Sequence, residues 1–293
     1  MASFDLPDHL IETLSRVLNQ LQQTLPELPQ VPDFSAPAFK WQDRQLKPIY
    51  TPKTFRLDDL KGIEAQKKKI VQNTLQFLHG FPANDILLTG SRGTGKSSIV
   101  RALLTEYMAE GLRLIEIERD DLSDLPLIQK IIAERPEKFI VYCDDLAFNA
   151  EDENYRSLKS VLDGSLQSGS NNFIIYATSN RRHLLPEFMH ENTPVTKVDV
   201  PQYKELHPQE AIEEKISLSD RFGLWLSFYP MNQNLYLEIV EHYIVQAGLV
   251  FDETVRAESL RWSQSRGQRS GRAAYQFSKH WIGLNALIKL SNS

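Results

Sequence analysis

The chain reads as an α/β protein, a parallel five-stranded sheet flanked by helices and followed by a small all-helical domain. Five short apolar runs, Asp85–Thr89, Leu112–Ile117, Phe139–Cys143, Phe173–Ala177 and Leu224–Phe228, have the near-continuous apolar character of strands covered on both faces. Helical or loop segments separate them, which makes the sheet parallel. Beyond Pro230 the runs stop, and three helical segments remain at Leu235–Ala247, Glu253–Ser265 and Arg272–Leu290. The expected division is 1–52 for an N-terminal helix and linker, 53–230 for the α/β domain and 231–293 for the helical domain.

Within the first segment, Leu10, Leu14, Val17, Leu18, Leu21 and Leu25 recur at steps of three and four, so Asp8–Leu25 is expected to be a helix with one apolar stripe. Such a stripe packs either on the rest of the chain or on another subunit or partner. From Pro26 to Pro52 the chain carries Pro29, Pro32, Pro37 and Pro48 and shows no period, which predicts an extended linker anchored by Phe39 and Trp41. A helical pattern begins at Leu57 and leads into the first strand, and a second helix follows Lys96.

With 41% hydrophobic residues among 293, the chain can bury a full core and form one large domain plus a smaller one. Its net charge of -5 and pI near 5.9 argue against a surface built throughout to coat nucleic acid. A lone cysteine, Cys143, lies within an apolar run and is expected to be a buried reduced thiol, which fits a cytoplasmic setting. No apolar stretch approaches the ~20 residues of a membrane span. The opening MASFDLPDHL lacks the order of a secretory signal, so neither export nor membrane insertion is expected. His183, His190 and His207 have no metal-ligand spacing with cysteines, and no zinc site is expected.

The chemistry centres on one segment. Gly90, Ser91, Arg92, Gly93, Thr94, Gly95, Lys96 and Ser97 fill the pattern G-x-x-x-x-G-K-[ST] between a strand and a helix, with Ser98 continuing the site. The glycines let backbone amides curl around a β-phosphate, Lys96 reaches the β and γ oxygens, and Ser97 offers its hydroxyl to Mg²⁺. A second acid is needed for the metal at the end of a neighbouring buried strand, and Phe139–Asp145 supplies it. Asp144 is expected to hold Mg²⁺ through water, and Asp145 to orient or deprotonate the attacking water. ATP and Mg²⁺ are the expected cofactors, and ATP hydrolysis the expected reaction.

With these motifs on hand, Leu57–Leu290 resembles the AAA+ P-loop ATPases. The resemblance implies that Asn180, closing FIIYATSN, is the polar sensor of the γ-phosphate or attacking water; a turn cap before Arg181 is its other reading. It implies that Arg221, just before the last strand, is an arginine finger for ATP bound by the adjacent subunit. An ion pair with Asp220 or Glu214 is the alternative for that arginine. Arg272, opening the third helix of a lid, takes the second sensor role in cis, with Arg269 as fallback. The resemblance also places Gly62 and Ile63 against adenine. From Thr254 onward seven cations, Arg256, Arg261, Arg266, Arg269, Arg272, Lys279 and Lys289, face Glu258 alone, a balance that suits a polyphosphate and equally DNA. More narrowly, TGSRGTGKSS, CDDL, TSNRRHLLPE and ISLSDRFGLWLSFYP together resemble a bacterial group of AAA+ ATPases defined as a domain of unknown function.

One departure from the family pattern is Asp145 where glutamate is usual, one methylene shorter, which makes slow turnover credible. Two functions follow. One is an oligomeric ATPase, a ring or arc, that remodels or loads a protein or nucleic-acid client. The other is a nucleotide switch that recruits partners through Leu10–Leu25. A small-molecule kinase fits the helical C-terminal domain less well. The long stretch from Arg182 to Glu205, interrupted by Pro186, Pro194 and Pro201, reads as a partner-contacting loop or a plain insertion.

Overall fold

The computed structural model describes residues 32–147, 153–163, 172–180 and 220–291, together with Thr13, Ser15 and Arg16. Residues 1–33 and 34–293 form two separate units. In the first, Thr13, Ser15 and Arg16 are helical and exposed. The apolar stripe Leu10–Leu25, the 182–205 stretch and the three histidines His183, His190 and His207 lie outside the described residues.

The second unit is built on a sheet of β1 (Ala38–Gln42), β2 (Gln45–Ile49), β3 (Ile86–Gly90), β4 (Leu112–Ile117), β5 (Lys138–Cys143), β6 (Phe173–Ser179) and β7 (Leu224–Phe228). Its order is β2-β1-β4-β5-β6-β3-β7, parallel throughout except for the antiparallel β1–β2 pair. The five expected strands are present, but the sheet has seven. The two extra strands come from the stretch expected to be an extended linker. Asp43 and Arg44, both left-handed at φ 52° and 57°, turn the chain in a two-residue hairpin, although neither is the glycine that advertises such a turn. Pro48, which lacks an N–H to donate, is tolerated because β2 is the edge strand of the sheet among the described residues. Phe39 and Trp41 do anchor the segment, fully buried, with the Trp41 indole donating to Asp124 at 3.1 Å.

Seven α-helices are described: α1 (Glu64–Leu78), α2 (Lys96–Tyr107), α3 (Leu125–Ile132), α4 (Glu153–Leu162), α5 (Gln233–Gln246), α6 (Glu253–Ser265) and the longest, α7 (Gly271–Ser291). Because neighbouring strand residues point to opposite faces, the sheet splits its apolar residues between two cores. Leu87, Val141 and Ile175 face one core, which also takes the hairpin's Phe39 and Trp41. Ile86, Leu88, Ile140 and Tyr176 face the other, beneath α1 and α2. The last three helices have a core of their own around Tyr236, Val240, Val255 and Phe277. Two of them start on side-chain caps, Asn232 accepting from the Leu235 amide and Asp252 from the Val255 amide, each at 2.9 Å. Cys143 is buried as expected, and burial pushes its thiol up to about 12. Among the described residues no helix is long and apolar enough to cross a membrane.

Asp85 ties three strands together at the entry to β3. Its carboxylate accepts from the Ile175 amide at 2.6 Å and its carbonyl from the Leu224 amide at 3.2 Å. Burial pushes the carboxyl from an ordinary 3.8 up to about 6, against the pull of the Ile175 bond. A carboxyl raised on folding binds its proton more tightly in the folded state, so it supports the fold at low pH and withdraws that support as pH rises through 6. Relative to Asp85→Asn, which keeps the acceptor, the native protein should lose up to about 3 kcal/mol between roughly pH 4 and pH 8. Denaturant midpoints measured for both proteins across that range check the slope; parallel curves would refute it.

Candidate nucleotide-binding site

In the sheet β6 lies between β5 and β3, with Ser179 level with Thr89 and Ala177 level with Cys143. The loop leaving β3, the two aspartates leaving β5 and the last residues of β6 therefore meet at the carboxyl ends of the strands, where open α/β sheets hold ligands.

The loop takes its shape from glycines that adopt positive φ. Gly93 (φ 77°) has no room for a side chain, since a Cβ there would lie 2.7 Å from the Ser270 Cβ, and its carbonyl accepts from the Gly271 amide at 2.9 Å. Gly95 (φ 105°) opens α2, whose N-terminus has no side-chain cap. The first-turn amides of α2 thus keep the positive pole that draws phosphate.

Lys96 is buried at 5% exposure and its ammonium donates three times: to the carbonyls of Gly90 (2.6 Å) and Ser91 (2.8 Å) and to Asn180 Oδ1 (3.0 Å). Burial lowers its pKa, while Asp144 and Asp145 oppose that shift. The Ser97 hydroxyl donates to Asp144 Oδ1 at 2.9 Å, and Thr178 Oγ1 donates to the same oxygen at 2.5 Å. Burial works against the charge on Asp144, but the hydrogen bonds, that from Thr178 first, hold its pKa below the usual carboxylate value. Asp145 sits at φ 55°, with its amide donating to Thr178 Oγ1 at 3.0 Å. Its carboxylate accepts from Asn180 Nδ2 at 2.5 Å and pairs with the Arg92 guanidinium at 3.5 Å.

These groups line a cleft of about 820 Å³ that runs on to the helices α5 and α7. Arg92 to Ser98, Asp144, Asp145, Asn180, Arg272 and Ile63 all line it. Gly90 and Ser91 take part through the carbonyls that hold Lys96. Gly62 stands outside the lining, and its own left-handed turn packs against Leu235 of α5. Arg221 also stands outside and pairs with Asp163 at the end of α4. Several lining residues carry no signal in the sequence. At the far end Tyr243 and Tyr275 meet edge to face with centroids 5.2 Å apart, and the Lys53 ammonium lies 4.9 Å from the Phe55 ring centre. Thr178, which binds both aspartates, was legible in principle, near the end of β6 and two residues before Asn180.

The donor set fits a triphosphate with its cation. Among the described residues no group of three or more His, Cys, Asp or Glu can hold a metal. A cation here would rest on the Ser97 and Asp144 oxygens together with phosphate and water, the sparse hard-oxygen environment Mg²⁺ accepts.

A family model described as "Protein of unknown function (DUF815)" matches residues 35–285. The chain belongs to DUF815. No curated protein matches it in sequence. Among solved structures, this DUF815 chain is similar to the Thermotoga maritima RuvB Holliday junction branch migration motor at 15% identity and a TM-score of 0.51, with 80% of this chain and 66% of that one covered. It is also similar to the Aeropyrum pernix Orc1 protein solved in complex with DNA, at 14% identity and a TM-score of 0.50, covering 78% and 59%. The DUF815 chain spans just under two thirds of the RuvB chain. At such identities the likeness establishes a fold, that of the AAA+ P-loop proteins.

Proposed function

We propose that the DUF815 chain is an oligomeric, cytoplasmic ATPase that closes its C-terminal helices on MgATP and uses hydrolysis to remodel or load a macromolecular client. The observation that carries this reading is the convergence of Lys96, Ser97, Asp144, Asp145 and Asn180 within hydrogen-bonding reach of one another beside an uncapped helix N-terminus. In this scheme residues 53–230 bind the nucleotide on a sheet that also takes in the hairpin Ala38–Ile49, and 231–293 form the lid.

MgATP would supply an electrophilic terminal phosphorus whose charge the cation helps to neutralise. Lys96 and the amides of the Gly90–Ser98 loop bind the phosphates, and Ser97 and Asp144 hold the cation. Asn180 orients and Asp145 deprotonates the water. Arg272 enters from α7, so a phosphate in the cleft would draw the lid towards the loop. The aromatic end formed by Phe55, Tyr243 and Tyr275 offers stacking surface for the base. Arg221 acts on a neighbour's nucleotide, which is why an oligomer is part of the proposal. RuvB is a Holliday junction motor and Orc1 was solved with DNA. A nucleic-acid client therefore stands beside a protein one.

A slower nucleotide switch, recruiting partners through the N-terminal segment, is the second reading. It is favoured by Asp145, short for its role and engaged by both Asn180 and Arg92. The two part company in a single titration: turnover per subunit should climb with protein concentration as interfaces form, whereas a switch binds MgATP and stays silent at every concentration. Turnover that is substantial yet independent of concentration would defeat the shared-interface proposal.

A further inference from the structure

We infer that Arg92 is a positioning residue that exchanges partners, holding Asp145 when the cleft lacks nucleotide and the terminal phosphate when ATP enters, so that ATP binding itself releases the water-activating carboxylate. The inference rests on the nucleotide reading of the same cleft. Arg92 occupies a position of the phosphate loop whose side chain the motif leaves open. It lines the cleft, and its guanidinium lies 3.5 Å from Asp145 Oδ2.

Asp145 is held at three points. Its backbone is in the left-handed region, where a residue other than glycine stays only when its surroundings impose it. Thr178 Oγ1 receives its amide and Asn180 Nδ2 binds its Oδ1, leaving Oδ2 to Arg92. Asn180 in turn accepts from Lys96 through its other amide atom. A continuous chain thus links Arg92, Asp145, Asn180 and Lys96, and both of its ends are cations of the phosphate loop. A carboxylate with both oxygens engaged is poorly placed to take a proton from water.

The direction of exchange follows from exposure and charge. The side chains of Arg92 and Asp145 are 72% and 53% exposed, so their pair is weak. A phosphate carries more charge than a carboxylate and matches the guanidinium fork. Once a γ-phosphate is within reach, Arg92 leaves Asp145. The same charge repels Asp145, which assists the separation.

Binding measurements separate this from simple charge repulsion. Calorimetric affinities for MgATP and MgADP would be taken on the native chain, Asp145→Asn, Arg92→Gln and the double variant. If Arg92 must abandon Asp145 to reach the phosphate, Asp145→Asn should tighten MgATP by about fivefold when Arg92 is present and by less than about twofold when it is glutamine, while MgADP shows no such coupling. Arg92→Lys, which keeps charge but loses the fork, should retain only part of the coupling. An equal gain from Asp145→Asn in both backgrounds would overturn the exchange and leave the nucleotide site intact. A native chain with no affinity for MgATP would overturn the site and the exchange together. Arg92 is exposed, so its substitution leaves the core untouched, and an unchanged circular dichroism spectrum verifies this.

Discussion

Lys96→Ala is expected to reduce MgATP affinity at least about a hundredfold while leaving the fold in place. A hydrogen bond to a charged group is worth about 1.5–3 kcal/mol, and on the proposed reading the lysine makes more than one such bond to phosphate. Its environment makes the loss severe. The ammonium is buried at the base of the loop and already bonded to three protein oxygens there, so its removal leaves those acceptors without their cation. Phosphate would then face the carbonyls of Gly90 and Ser91 with no cation between them. Titration of both proteins with a fluorescent nucleotide analogue, alongside circular dichroism, measures affinity and folding separately. Equal affinities would remove the basis for the nucleotide site.

The second large effect is expected at Arg221, in turnover alone. An arginine supplied across an interface contributes about 10³–10⁵ in rate in other phosphoryl-transfer systems, so Arg221→Ala should cut turnover by about a thousandfold or more and leave MgATP affinity nearly unchanged. Within its own chain Arg221 pairs with Asp163, a residue half exposed to solvent. If that pair were its whole purpose, Arg221→Ala would shift stability by no more than about 1 kcal/mol and turnover would survive. Asp163→Asn is the control, since it breaks the pair and preserves the arginine. Turnover kept in Asp163→Asn and lost in Arg221→Ala assigns the arginine to the reaction; both kept assigns it to the pair.

The shape of the loop Gly90–Ser97 was legible because its requirements are local. Positive φ at Gly93 and Gly95, a lysine that can fold back and a hydroxyl one residue further on are properties of consecutive residues. The parallel strands were legible for a related reason, since burial on both faces demands unbroken apolar runs that loops do not imitate. The hairpin Ala38–Ile49 was missed because its turn uses Asp43 and Arg44 in place of glycine and its second strand carries a proline, so local chemistry spoke against it. What overrides those signals is the pairing of β1 along β4 and the burial of Phe39 and Trp41, both consequences of distant residues.

The same division runs through the candidate site. Order along the chain was enough to nominate Lys96, Ser97 and Asp144, because each follows a strand or opens a helix in a way its neighbours dictate, whereas Asn180 came from the family resemblance. Only the packing of β6 between β3 and β5 brought Thr178 to both aspartates and set Asn180 between Asp145 and Lys96. The aromatic wall and the Arg92–Asp145 pair arise likewise from segments far apart in sequence. Backbone conformation and strand burial are written in short stretches of residues, whereas a side chain's partner across a sheet depends on strand order, which no short stretch contains.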